Sequence, residues 1–354
     1  ASSWLKCWHP DVFCAALLNA QPMGFYAPAQ IVRDAREHGV EIRPVCINAS
    51  RWDCTLEPTG REDRFAVRLG LRMVRGLANA DAGRLVIHRE AGAYVSVDDV
   101  WRRSSTPVGA LTRLAEADAF LPDLGLQRRE ALWAIKALRD DPLPLFAVVQ
   151  GDGATTSEVS EPALLLPTMA AGQEVVEDYS HIGLTLRDHP VAFLRETLQA
   201  RHVMTCTDAS AMRDRRLTRV AGLVLVRQKP GSAKGVMFIT IEDETGVANL
   251  VIWPSLYEQQ RQIVLSASLL IVDGKVQREG EVVHVVATRL HDGSDLLASV
   301  GDREAFPLPH GRGDEVYHGS LPDPRGSHRR HKARDIYIPD LSLDAIRVRT
   351  WDFR

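Results

Sequence analysis

Cysteine is sparse and never in pairs. The 354-residue chain has five, Cys7, Cys14, Cys46, Cys54 and Cys206, with no C-x-x-C and no Cys/His set at zinc-finger spacing. That excludes a disulfide framework and a zinc module, and it predicts a reducing, cytoplasmic setting. Long apolar runs are missing as well. None reaches the roughly 18 residues of a membrane span, and the first residues lack the basic-then-apolar grading of a signal peptide. Neither sign of charge is in excess, since 43 Lys and Arg against 46 Asp and Glu leave −3. A protein that coats DNA without discrimination is strongly basic, so any nucleic-acid surface here must be local. With 45% hydrophobic and 25% charged residues, the chain is too mixed for wholesale disorder.

The length predicts two or three compact units. An apolar helical pattern begins at once at Trp4-Leu5-Lys6, which leads to the expectation of a piece of a longer protein. Residues 1–58 read as helices with one short extended stretch, Val40 to Val45; Pro28 suits a first helical turn and Gly39 a helix end. Residues 59–139 read as helix, short turn, helix, twice over. The first turn centres on Gly76 within Met73 to Asp81, and the second runs through Phe120 to Gly125. Such a hairpin aims backbone N–H groups at one spot, so Arg72, Arg75, Gly76 and Leu77 are candidate duplex-binding residues. The alternative is an all-helical packing module in which Gly76 only turns the chain.

Residues 140–180 read as a linker. Within it Leu143-Pro144-Leu145-Phe146 is apolar and too proline-rich for a helix, and it either tucks against its own helices or docks in a partner's groove. Residues 181–214 read as a small helical connector.

From 215 to 300 the apolar period becomes two. Five strands are expected, at Thr218 to Arg227, Val236 to Glu242, Val247 to Trp253, Leu269 to Val276 and Val282 to Thr288, with a helix at Leu256 to Val264 between the third and fourth. That order is the OB-fold, a small barrel that commonly binds oligonucleotides across its second and third strands. The fold class is therefore α+β multidomain, helical in front and a five-stranded barrel behind. Alternation puts Met237, Ile239, Ile241, Leu250 and Ile252 inside and Phe238, Thr240, Asn249 and Trp253 outside. With Arg227, Lys229 and Lys234 nearby, these are candidate single-strand-binding residues, the rings stacking on unpaired bases; alternatively the rings pack under a neighbouring domain. Residues 301–354 read as a basic tail whose histidines lack metal-ligand spacing. No catalytic residue and no metal ligand is identified.

Longer motifs carry a resemblance. Cys14 to Tyr26 and Arg33 to Pro44 resemble the end of the fingers of bacterial C-family DNA polymerases, the family of the replicative alpha subunit. Arg68-Leu69-Gly70-Leu71-Arg72-Met73-Val74-Arg75-Gly76-Leu77, Ala117 to Phe120, Arg128 to Trp133 and the closing Arg347 to Arg354 resemble its error-prone, damage-tolerant branch. Phe238-Ile239-Thr240-Ile241-Glu242-Asp243-Glu244-Thr245-Gly246 is similar to the family's OB signature.

The resemblance implies a translesion and repair polymerase segment, with residues 1–58 ending the fingers, 59–139 a tandem helix-hairpin-helix domain and 215–300 the OB domain. Family chemistry is phosphoryl transfer by two metal ions on palm aspartates, so Mg2+ is expected for the parent enzyme. This sequence has no Asp-x-Asp core flanked by strand residues and no N-terminal PHP-type domain, so the segment is expected to be inactive alone. Ala78 stands where relatives carry a second hairpin glycine. Leu143, Leu145 and Phe146 fall where relatives carry a sliding-clamp peptide, with Pro142 in place of its leading Gln. Enzymes of this branch act with an inactive Y-family-like partner and a small recombinase-like accessory protein. A stand-alone nucleic-acid-binding module and a partner-docking scaffold are the competing readings.

Overall fold

Prolines open the first long helices. Pro10 and Pro28 occupy the initial positions of α2 (Pro10–Asn19) and α3 (Pro28–Glu37), where a missing N–H costs nothing; α1 (Ser2–Trp8) precedes them. The structure, a computed structural model, describes residues 2–23, 26–60, 64–138, 167–301 and 306–307. After α3, β1 (Ile42–Arg43) runs parallel to β3 (Phe65–Arg68), which pairs antiparallel with β2 (Thr55–Pro58). This sheet straddles the boundary expected between residues 58 and 59. Leu18 and Val32 in front of it share one core with Leu71, Leu111 and Phe120 behind it, so fingers end and hairpin region pack as one unit. Gly70 is required at this junction, because a Cβ there would lie 2.4 Å from the Trp52 carbonyl oxygen.

Five helices follow: α4 (Asn79–His88), α5 (Val97–Ser104), α6 (Val108–Glu116), α7 (Leu121–Leu124) and α8 (Arg128–Lys136). Asp98 and Asp99 lie in the first turn of α5, where the Ser96 hydroxyl caps the Asp99 N–H at 3.0 Å. The Leu143 to Phe146 peptide and the basic tail lie outside the described residues. The end of the expected linker is corrected: Ala171–His181 is a helix, α9, that buries Val175, Val176, Asp178 and Tyr179. Its short apolar stripe amid glycine and glutamate reads as loop until partners cover it. Helices α10 (Arg195–Ala200) and α11 (Cys206–Ala211) form the connector.

The barrel closes in the order β4-β5-β6-β8-β7, the OB arrangement. Its strands are β4 (Leu217–Gln228), β5 (Met237–Glu242), β6 (Val247–Ile252), β7 (Leu269–Glu279) and β8 (Val282–Asp292). Helices α12 (Pro254–Gln259) and α13 (Arg261–Ser266) link β6 to β7. Met237, Ile239, Ile241, Leu250 and Ile252 fill the interior, as alternation predicts. Outside, Ala221 and Leu223 of β4 and Leu269 and Ile271 of β7 form a further core with Val176, Tyr179 and Leu198. The barrel is thus covered over β4, β7 and the Glu242 end of β5, and more open over the Phe238 end of β5, β6 and β8.

The β5–β6 turn hangs on Asp243. Its Oδ1 accepts from the Thr245 N–H at 2.8 Å, the Thr245 hydroxyl at 2.7 Å and the Gly246 N–H at 3.0 Å. Its Oδ2 accepts from the Cys206 N–H at 2.7 Å and Arg195 Nη2 at 3.0 Å. Burial raises this carboxyl, but the hydrogen bonds from Thr245, Cys206 and Gly246 outweigh it and hold it below its ordinary value. Four cysteines are buried and Cys7 is exposed. Burial pushes the Cys14 thiol up to about 12 and the Cys46 thiol up to about 11, so neither is a nucleophile at neutral pH.

Two outcomes follow from this packing. Because the folded carboxyl is depressed, Asp243 contributes stability fully above about pH 4, the unfolded aspartate value, and progressively loses it as pH falls further. Denaturant melts of Asp243→Asn should therefore show lower stability at pH 7 and a shallower loss between pH 5 and pH 3 than the native chain. Arg128, 2% exposed, donates to Asp178 Oδ1 at 2.7 Å and to Glu174. Arg128→Ala removes the buried partner of both carboxylates, leaving Arg187 as their remaining cation, and should cost about 3 kcal/mol in the same melts.

Candidate nucleic-acid interface

The hairpin turns are built as expected, and arginine side chains tie them to neighbouring segments. Gly76 sits at φ 77°, the left-handed conformation that favours glycine, and leads through Ala78 into α4. Arg72 turns inward. Its Nη1 donates to the Asn19 carbonyl at 2.7 Å and Asp53 Oδ1 at 2.8 Å, and its Nη2 to the Gln21 carbonyl at 3.0 Å. A guanidinium at the C-terminal carbonyls of α2 is well matched to the helix dipole, so Arg72, expected at a duplex, is engaged with α2 in this structure. Arg75 is exposed but bridges to α9, its Nη1 donating to the Ser180 carbonyl at 3.0 Å and its N–H to the His181 carbonyl at 2.8 Å. Leu77 is a core residue. Just ahead of the second turn Asp118, at φ 59°, accepts from Arg187 Nη2 at 2.8 Å. Both turns therefore meet the segment around residues 180–187.

The barrel behaves differently. On its open side Phe238 pairs with Val251, and Thr240 with Asn249, whose side chains lie 3.0 Å apart in a hydrogen bond. Trp253, 53% exposed, stands just beyond β6. Phe238, Val251 and Trp253 line a groove of about 330 Å³ with Gln277, Glu279 and His284. Lys229 lies on the β4–β5 loop with its Nζ 4.1 Å from the centre of the Tyr257 ring. Lys234 is exposed at φ 49° and has no ion pair among the described residues. Thr240 opens instead into a second cavity of about 580 Å³ between the barrel and α1 to α3. There Arg33 of α3 pairs with Glu242 of β5 at 2.9 Å.

Arg227, expected on the single-strand face, turns away from it. A β-bulge between Val224 and Val226 shifts the register, so Arg227 lies opposite inward-facing Ile239. It donates to the Val264 carbonyl at 2.7 Å and to the Ala267 carbonyl at the end of α13, and burial lowers its pKa. One extra residue in the strand moves this side chain off the binding face.

Gln277, Glu279 and His284 were not expected at the groove. They come from β7 and β8, which reach it only because β8 runs parallel to β6, with His284 beside Asn249, and pairs with β7, with His284 opposite Gln277. The signal in the sequence was period-two alternation around His284, without an aromatic to mark the face. Among the described residues no group of three or more His, Cys, Asp or Glu side chains is placed to hold a metal ion. No described helix is long and apolar enough to cross a membrane.

Comparison with known proteins adds to this geometry. Residues 39–131 match the family model described as a helix-hairpin-helix motif, and residues 218–292 match that of an OB-fold nucleic acid binding domain. Error-prone DNA polymerase 3 of Agrobacterium fabrum is 60% identical over 361 residues, covering 100% of this chain and 33% of that protein. Error-prone DNA polymerase 2 of Rhizobium meliloti is 59% identical over 359 residues, covering 100% and 33%. The chain spans about a third of the length of the curated relatives it matches. A solved asparaginyl-tRNA synthetase from Pyrococcus horikoshii aligns over 25% of this chain and 22% of its own, at 22% identity and a TM-score of 0.22.

The two kinds of basic and aromatic residue should separate by measurement. Phe238→Ala combined with Trp253→Ala should weaken single-strand binding by tenfold or more with little change in melting, since a stacked base contributes about 1–3 kcal/mol. Arg227→Ala and Arg72→Ala should instead lower stability, with the loss visible in denaturant melts.

Proposed function

We propose that this chain, alike over its whole length to one third of proteins named error-prone DNA polymerases, is the DNA-holding and non-catalytic portion of such an enzyme. The barrel's open face takes unpaired template bases, and the helical unit in front of it lies along the duplex. The parent enzyme acts in the cytoplasm in damage-induced translesion synthesis and repair. The observation that carries this reading is half-buried Phe238 and exposed Trp253 lining a groove on the open side of an OB barrel, in a chain with those relatives.

The chemistry of the parent is phosphoryl transfer with Mg2+. The described residues of this chain offer no carboxylate cluster for that ion, so no step of the reaction is assigned to them. What they do is position: the barrel stacks bases, and the lysines of the β4–β5 loop attract the phosphates between them. Leu143, Leu145 and Phe146 are proposed to reach a sliding clamp, and an inactive Y-family-like protein and a recombinase-like protein are proposed partners of the parent.

Anisotropy titrations of labelled single strands and primer-template at several salt concentrations test the reading. Log K should fall linearly with log salt, and a flat response would favour a protein-docking scaffold instead. Primer extension by the purified chain with Mg2+ and all four nucleotides should be absent, and incorporation would overturn the non-catalytic assignment.

A further inference from the structure

The groove on the open face is chemically two-sided. Phe238, Val251 and Trp253 give it an apolar wall, and its polar side chains come from β7 and β8. Gln277 Nε2 donates to Glu279 Oε1 at 3.0 Å, which engages one amide proton and steers the amide nitrogen toward the carboxylate. Among the described residues two acceptors remain unengaged there, the amide oxygen of Gln277 and the second carboxylate oxygen of Glu279. The cations of this region, Lys229 and Lys234, sit on the loop between β4 and β5. A Cβ on Gly235 in that loop would lie 3.5 Å from Pro254, so the loop packs beside Trp253 at the rim of the groove.

That distribution selects an occupant. Phosphate is drawn to the rim and repelled from the carboxylate, so the groove suits a base with its edge toward Glu279. Cytosine, adenine and guanine carry an exocyclic amino group that a carboxylate accepts from, and the Glu–cytosine N4 pair is a standard contact of this kind. Thymine offers two carbonyl oxygens around a single N–H and no amino group, so it has one donor for the Glu279 carboxylate and sets a carbonyl beside it. Leaving such groups unpaired is what makes a polar site reject the wrong partner.

We propose that this groove is a base-reading subsite that favours amino-bearing bases and disfavours thymine, with Glu279 as the residue that sets the preference. The proposal rests on the reading of the open barrel face as a single-strand surface. It makes the grip on unpaired template uneven along a sequence, weaker over runs of thymine.

The test is anisotropy titration of the full chain with labelled oligo-dC and oligo-dT of equal length, at fixed salt and pH 7.5. Oligo-dC should bind about five- to tenfold more tightly than oligo-dT, the lower end of what one base-edge contact supplies. Glu279→Gln should bring the two within twofold of each other, and Glu279→Lys, which presents donors, should invert the order. Glu279 is exposed at the end of β7, and unchanged circular dichroism is the check that the variants fold. Equal binding of the two oligomers by the native chain would overturn the preference, and a ratio that survives both substitutions would overturn the role of Glu279. If Trp253→Ala binds every oligomer as tightly as the native chain, the reading of the open face fails, independently of the base preference.

Discussion

Asp178 is the joint on which the arrangement turns. It is 4% exposed and accepts from Arg128 Nη2 at 2.7 Å, from the Thr185 hydroxyl at 2.7 Å and from Arg187 Nη1 at 2.8 Å. Arg128 comes from α8, Asp178 from α9, and Arg187 reaches on to Asp118 just ahead of the second hairpin turn. A carboxylate removed from water is tolerated only when its lone pairs are engaged, and that demand admits few positions for the helix that carries it. Buried ion pairs of this kind add geometry more than stability. Here the geometry is the seat of α9, whose Val176 and Tyr179 belong to the core laid over β4 and β7. One helix is therefore shared by the hairpin unit and the barrel.

From that seat follows the asymmetry of the barrel. With β4 and β7 covered, the uncovered side consists of β5, β6 and β8, and the groove lies there. A second tie, Arg33 to Glu242, brings α3 to the Thr240 end of the same face and leaves the Phe238 and Trp253 end open. Arg195 does comparable work at the β5–β6 turn, pairing with Asp243 and Glu244. Arginine recurs in these roles because its fork supplies several donors in fixed directions. Arg72, Arg75 and Arg227 use that fork on backbone carbonyls of the protein itself.

The hairpin turns carry the same lesson. Their glycine and left-handed aspartate make the compact turns that the helix-hairpin-helix match describes, yet Arg75 and Arg187 connect both to the segment after α9. The single-strand grip proposed for this chain accordingly rests on the barrel, and the turns stabilise the platform that presents it.

Much of this was legible in the residues. Period-two alternation in Met237 to Glu242 and Val247 to Ile252 sorted inside from outside correctly, because a strand's side chains must alternate. The continuous apolar run Leu269 to Val272, all buried, is what a strand covered on both faces looks like. Pro28 at a helix start and Gly39 and Gly76 at turns were readable for the same reason: each answers to a local constraint. The fates of Arg72, Arg75 and Arg227 were not, because their carbonyl partners lie 37 to 105 residues away in sequence, and charge alone does not say which way a side chain faces. The bulge in β4, the helix α9 and the acceptor-rich edge of the groove belong to the same class. Local chemistry settled which elements form and which faces are apolar; only the folded chain decided which arginines are buried, which barrel face stays open and which side chains meet there, since those depend on contacts that exist only once distant segments are brought together.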